Sequence, residues 1–105
     1  MEILLRIKRL VLRGDVRFTE KARDEMDRDG LSTGDVIESI VNAQTLDKTV
    51  RSRSRSRRHA GERLYVIQSF SYEGTLIYTK GTIVREEARE VFYVFVSAKV
   101  ATFRD

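Results

Sequence analysis

The chain has 105 residues, of which 41% are hydrophobic and 34% charged, and its formal net charge at pH 7 is +4. These values predict one globular domain, residues 1–105, with a modest core. The absence of cysteine excludes disulfides and thiolate metal sites, and the single histidine excludes a histidine metal cluster. The N-terminal segment is too interrupted by charge to be a signal peptide or a membrane span. We therefore expect a soluble, cytoplasmic protein with no membrane partner.

Three amphipathic helices are predicted in the N-terminal part of the chain. Apolar residues recur at helical spacing through residues 2–13, and a glycine follows them. The next residues, "DVRFT", predict a short extended link. Thr19 is placed to cap a second helix, whose mixed charges predict a mostly solvated surface. Ser32 and Asp35 have the spacing of a capping box for a third helix, which ends near Ala43.

From Thr45 onward the hydrophobic pattern is typical of strands. Four segments carry it: "TLDKTVRS", "ERLYVIQSFSY", "TLIYTKGTIV" and "EVFYVFVSAKV". The last three are joined by short connections, which predicts an antiparallel meander. The predicted fold class is therefore α+β, with three N-terminal helices followed by a four-stranded antiparallel sheet that carries the helices on one face.

The stretch "RSRSRSRRH" concentrates the positive charge between two predicted strands. Seven of the 20 basic residues but only one of the 16 acidic residues lie between Lys48 and Arg63. A basic patch of this kind favours polyanionic partners: RNA, DNA, acidic lipid or an acidic protein. Serine and arginine alternate with no apolar residue, so we expect residues 51–61 to form a mobile loop. The predicted phosphate-binding residues are Arg51, Arg53, Arg55, Arg57, Arg58, Arg63 and Lys80.

Strand alternation places aromatic and basic side chains together on one face of the predicted sheet. Tyr78 and Lys80 share a face of the third strand, and Tyr93 and Lys99 share a face of the fourth. Rings can stack on nucleic-acid bases and lysines can hold phosphates, so this face is a possible platform for RNA. Packing of the aromatic residues in the core is the alternative.

The position of Gln68 depends on the length of the turn that follows its strand. A two-residue turn at Glu73-Gly74 would place Gln68 opposite Thr79, on the face away from Tyr78. A connection of three or five residues would place it on the same face as Tyr78, because one residue of slip reverses the faces.

Four segments together give the chain a resemblance to a known family. They are "IKRLVLRGDVRFT", "TLDKTV", "GTLIYTK" and "FVSAK". In their order and spacing they resemble the MqsR-type toxins of bacterial toxin–antitoxin pairs and, more distantly, the RelE and BrnT toxins, which share a compact α+β shape. The resemblance implies a metal-independent endoribonuclease without a cofactor that cuts mRNA, free or on the ribosome. It also implies an antitoxin partner, expected to be encoded next to this chain.

The resemblance implies that Lys48, Tyr78 and Lys99 form the active site. The family also uses a glutamine on the strand before the tyrosine, and Gln68 is the only glutamine there. A gapless alignment instead places that glutamine nearer Leu64 or Tyr65. The long arginine run has no counterpart that we can assign in the family.

The residues themselves leave the function open between three classes of protein. The first is a ribonuclease in which tyrosine and lysine do the chemistry, with His59 as an alternative general base. The second is a non-catalytic RNA- or DNA-binding module that uses the same face. The third is a small interaction domain that binds a partner chain through a sheet edge or a helix.

Overall fold

A computed structural model describes residues 2–51 and 62–102, and in its first half a strand lies between the first two of three helices. The helices are α1 (Ile3–Leu12), α2 (Glu20–Asp29) and α3 (Thr33–Asn42). The strands are β1 (Val16–Phe18), β2 (Lys48–Arg51), β3 (Arg63–Phe70), β4 (Leu76–Glu86) and β5 (Arg89–Val100). The loop predicted over residues 51–61 falls outside the described residues, apart from Arg51, which ends β2.

The strands form one mixed sheet in the order β1-β5-β4-β3-β2. β1 runs parallel to β5, and the other neighbours are antiparallel. The predicted fold class, three helices followed by a four-stranded antiparallel sheet, is therefore wrong. The segment "DVRFT", expected to be a link, contains β1, which lies between α1 and α2. Three residues are too few to show strand periodicity, and the partner strand is remote in sequence, with Arg17 opposite Val94.

Local signals in the sequence define where α2 begins and ends and where α3 begins. The Thr19 hydroxyl accepts a hydrogen bond from the Ala22 N–H at 3.1 Å. α2 ends at Gly30, whose φ of +70° is a left-handed conformation that glycine adopts without steric cost. The capping box predicted for α3 is present, with reciprocal bonds of 2.9 and 3.0 Å between Ser32 and Asp35.

The helices and one face of the sheet share a hydrophobic core. Apolar residues of the three helices contact buried residues of β3 and β5 in a single cluster. The largest of these fully buried side chains are Tyr93, Phe95, Ile7, Leu10 and Ile40. We call this side of the sheet the helix face, and the other side the outer face.

A β-bulge in β5 reverses which side chains reach the outer face. Lys80 is paired with Ser97, but the next residue, Gly81, is paired with Phe95, so Val96 is the extra residue. Tyr93 therefore belongs to the helix face, where it is 0% exposed, and burial raises the pKa of its phenol. The predicted position of Tyr93 beside Lys99 is wrong because simple alternation assumes that no residue is inserted.

Candidate nucleic-acid interface

Gln68, Tyr78 and Lys99 form a row across three adjacent strands on the outer face. Gln68 of β3 is the partner of Tyr78 in β4, and Tyr78 is the partner of Lys99 in β5. The connection between β3 and β4 contains the five residues 71–75, since Phe70 is paired with Leu76. The connection therefore has five residues, not two, and Gln68 lies on the same face as Tyr78.

The side chains of this row enclose a shallow depression. The Lys99 Nζ lies 5.5 Å from the centroid of the Tyr78 ring, within the range of a cation–π contact. Both residues are half-buried, whereas Gln68 is exposed. With residues 100–102 they line an open depression of about 370 Å³. A phosphate group there would meet an ammonium, a phenol and an amide.

Two further lysines, Lys48 and Lys80, lie on the same face, beside the row of Gln68, Tyr78 and Lys99. Lys48 is the partner of Val66, and Val66 is the partner of Lys80. Val66 precedes Gln68 by two residues, so both rows point to the same side. The outer face therefore carries Lys48, Lys80 and Lys99 around Tyr78, and the positive charge of this region does not depend on the arginine run.

The predicted arginine contacts are not at this face in the part of the chain that the structure describes. Arg63 and its partner Arg51 share the side of Tyr65, which is the helix face. Arg63 is three residues from Val66, and side chains alternate along a strand. Both arginines therefore lie on the face opposite Lys48 and Lys80. The other predicted phosphate contacts, Arg53, Arg55, Arg57 and Arg58, lie outside the described residues, as does His59.

Helix α2 holds the strand segment that carries Lys99. The buried Glu25 carboxylate accepts hydrogen bonds from the Ser97 hydroxyl at 2.7 Å and the Ala98 N–H at 3.1 Å. Asp29 accepts from the Val100 N–H at 2.9 Å. These bonds fix the backbone on both sides of Lys99. The even mixture of charges in α2 suggested a solvated surface, so this role of Glu25 and Asp29 was missed.

The pKa values of these two carboxyls agree with that role. Burial alone would raise the pKa of Glu25, but hydrogen bonds from Ser97, Lys21 and Ala98 outweigh it, and the net pKa is lowered. The hydrogen bond from Arg28, followed by that from Val100, lowers the pKa of Asp29. Both groups are therefore ionised acceptors at neutral pH.

Asp47 precedes the edge strand β2 and is hydrogen-bonded to β3 beside Gln68. Its carboxylate accepts a hydrogen bond from the Gln68 N–H at 2.5 Å, and its own N–H donates to the Val66 carbonyl at 2.9 Å. Lys48 follows directly in the chain. Asp47 is a positioning residue for Lys48 and Gln68 that the sequence pattern did not indicate.

Residues 2–51 and 62–102 lack two other kinds of feature. No group of three or more His, Cys, Asp or Glu side chains in these ranges could hold a metal ion. No helix among them is long and apolar enough to cross a membrane.

No protein-family model, curated protein or solved structure matches the chain. The resemblance to MqsR-type toxins therefore rests on the four sequence segments quoted above.

Proposed function

We propose that the protein is a metal-independent endoribonuclease that cuts RNA through its own 2′-OH and acts as the growth-inhibiting toxin of a toxin–antitoxin pair. The observation that carries the proposal is the row of Gln68, Tyr78 and Lys99 at an open depression of the outer face. The resemblance to MqsR-type toxins implies Tyr78 and Lys99 as active-site residues and offers Gln68 as the glutamine of the preceding strand, and these three lie on adjacent strands.

The chemistry requires a base, an acid and positive charge. A base takes the proton of the 2′-OH, the 2′-oxygen forms a bond to phosphorus, and the bond from phosphorus to the 5′-oxygen breaks. An acid gives a proton to the departing 5′-oxygen, which leaves a 2′,3′-cyclic phosphate. In our proposal Tyr78 is the general acid or base. Lys99 and Lys48 stabilise the negative charge of the phosphorane, and one of them is the second proton-transfer group.

The surrounding residues would bind rather than react. Lys80 lies beside the row and would contact a neighbouring phosphate. The Gln68 amide can donate hydrogen bonds to a phosphate oxygen or to a base edge. The bonds from Glu25 and Asp29 hold the strand on either side of Lys99, so the backbone that would present its ammonium to the reacting phosphate is fixed.

Purified Tyr78→Phe protein tests the proposal most directly. Removing the phenolic oxygen keeps the ring beneath the Lys99 ammonium but removes the proton donor. We expect RNA cleavage to fall by roughly 10²–10⁴-fold, the usual contribution of one acid–base group. Lys99→Met should lower cleavage as well. An RNA that lacks the 2′-OH at the cut position should resist the wild-type enzyme, and EDTA should leave its rate unchanged.

Tyr72→Phe is the matched control. Tyr72 is 66% exposed in the β3–β4 connection and lies away from the row, so its hydroxyl should be dispensable. Cleavage that persists at the wild-type rate in both Tyr78→Phe and Lys99→Met would show that the chemistry is elsewhere.

A non-catalytic RNA- or DNA-binding module is the second candidate. The observation that favours it is that the row contains neither a histidine nor a carboxylate, while three lysines, Lys99 of the row and the neighbouring Lys48 and Lys80, lie around Tyr78. Tight binding of RNA by the wild-type protein without any cleavage, with or without ribosomes, would establish this reading.

The biological part of the proposal has its own test. A toxin should arrest growth when it is expressed alone, and co-expression of the protein encoded by the adjacent reading frame should restore growth. The Tyr78→Phe variant should be tolerated without that partner. Growth arrest by this variant at equal expression would separate the toxicity from RNA cleavage.

A further inference from the structure

A second basic region lies at the other end of the β4–β5 hairpin. An open cleft of about 790 Å³ is formed between α1 and the turn that joins β4 to β5. Five of its lining residues are arginines: Arg6, Arg9, Arg13, Arg85 and Arg89. The cleft contains two carboxylates, Asp15 and Glu90, so its walls carry a clear excess of positive charge.

Local geometry explains why these arginines converge. Arg6, Arg9 and Arg13 follow one another at intervals of three and four residues, which places them on one side of α1. Glu87 and Ala88, with φ of +52° and +68°, turn the chain tightly between β4 and β5. The hairpin therefore presents arginines from its tip to those of the helix.

The two carboxylates form ion pairs with only three of the five arginines. Arg13 pairs with Asp15 at 3.1 Å. The Glu90 carboxylate forms ion pairs with Arg85 at 3.2 Å and with Arg6 at 3.6 Å. Arg9 and Arg89 have no ion pair or side-chain hydrogen bond with any other described residue. Two guanidinium groups in a concave site thus have their donors available for an anion.

A basic path connects the cleft with the row of Gln68, Tyr78 and Lys99. Arg17 of β1 is opposite Val94, which is opposite Thr82, so Arg17 lies on the outer face with Lys80. Its guanidinium stacks 4.2 Å from the centroid of Phe92, and Phe92 lines the cleft. The arrangement suits a long polyanion better than a small one.

We infer that this arginine cleft binds the phosphate backbone of single-stranded RNA at a distance from the cut. The inference rests on the proposed function. From Tyr78 to Arg85, the seven steps along β4 span about 23 Å. An odd number of steps places Arg85 on the helix face and Tyr78 on the outer face, so an RNA strand that contacts both regions would pass over the β1 edge of the sheet, where Arg17 lies. The guanidinium fork matches two phosphate oxygens at once, which a lysine cannot do. The cleft would add affinity without reading the base sequence.

The test uses a single-stranded RNA oligonucleotide with 2′-O-methyl groups throughout, because it lacks the nucleophile and reports binding alone. The association constant is measured against salt concentration for wild type, Arg9→Gln, Arg89→Gln and the double variant. Each phosphate contact on a single strand contributes about 0.7 to the slope of log K against log salt. We expect the slope to become shallower by about 0.7 in each single variant and about 1.4 in the double variant.

Arg23→Gln is the matched control, since Arg23 is an exposed arginine of α2 whose side chain only faces the Phe18 ring at 5.3 Å. Its slope should equal that of wild type. An unchanged slope in the folded double variant would overturn the inference. Polyglutamate that competes for the cleft as strongly as RNA, and loses affinity equally in the double variant, would also overturn it in favour of an acidic protein.

The two proposals fail in different ways. If wild-type protein does not cut natural RNA but the slope falls in the double variant, the proposed enzyme is wrong and the RNA cleft stands. If Tyr78→Phe abolishes cleavage but the slope is unchanged in the double variant, only the cleft is wrong.

Discussion

Gly81 lies where β4 passes closest to the buried ring of Tyr93, and we predict that Gly81→Ala destabilises the protein. A Cβ atom added at Gly81 would lie 2.6 Å from Cζ of Tyr93 and 2.7 Å from both its Cε2 and Oη. The ring is rigid and 0% exposed, and it contacts Phe95 edge-to-face at 5.0 Å. Because the ring is fully buried, it cannot turn into solvent to relieve this contact.

The expected cost is that of overpacking a core, about 1–3 kcal/mol in the free energy of unfolding. For a domain of this size that corresponds to a fall in Tm of roughly 4–24 °C. Gly34→Ala is the matched control. The nearest atom to its added Cβ is Ser32 Oγ at 3.6 Å, an ordinary contact, and the residue lies in α3. This change should raise stability by about 0.4–1 kcal/mol.

Both variants are measured by urea unfolding followed by circular dichroism, with thermal melting as a second probe. Pairing Gly81→Ala with Tyr93→Leu gives a double-mutant cycle, in which the Gly81→Ala penalty should shrink because the ring is gone. Wild-type stability in Gly81→Ala, or an equal penalty in both backgrounds, would refute the proposed collision.

Two further predictions concern buried polar groups. The Tyr93 hydroxyl has no hydrogen-bond partner among the described residues, so Tyr93→Phe should raise the free energy of unfolding by about 1 kcal/mol. A loss of stability would show that the hydroxyl has a partner. Glu25 has a lowered pKa, so its contribution is complete above its ordinary value of 4.5 and is lost as the pH falls through the lower folded value. Glu25→Gln should therefore cost about 1–2 kcal/mol at pH 7 and flatten the decline in acid, as measured by urea unfolding between pH 7 and 3. Parallel pH profiles for the two proteins would contradict this assignment.

Features encoded by neighbouring residues were predictable. The capping box of Ser32 and Asp35 and the termination of α2 at a glycine each involve residues a few positions apart. The two faces of β4 follow from strict alternation, which correctly separated Tyr78 and Lys80 from Thr79. In each case the physical cause acts within one turn of helix or one strand, so the local sequence contains it.

Features that depend on remote partners were not predictable. β1 forms a strand only because its backbone pairs with that of β5. The Val96 bulge reverses the faces of β5 within the strand, which moves Tyr93 into the core while Lys99 stays outside. Glu25 acts as an acceptor for Ala98 rather than as a solvated charge. None of these pairings leaves a periodic signal in either segment alone.

Side-chain periodicity alone specified the three helices and the meander of the last three strands, because it is a local property. Lys48, Tyr78 and Lys99 became candidate residues through the resemblance to MqsR-type toxins. That Gln68 joins Tyr78 and Lys99 in one row, and that five arginines meet in one cleft, follows from the tertiary structure. Strand register and the packing of a helix against a hairpin depend on the whole core, since a single inserted or slipped residue exchanges the two faces of a strand.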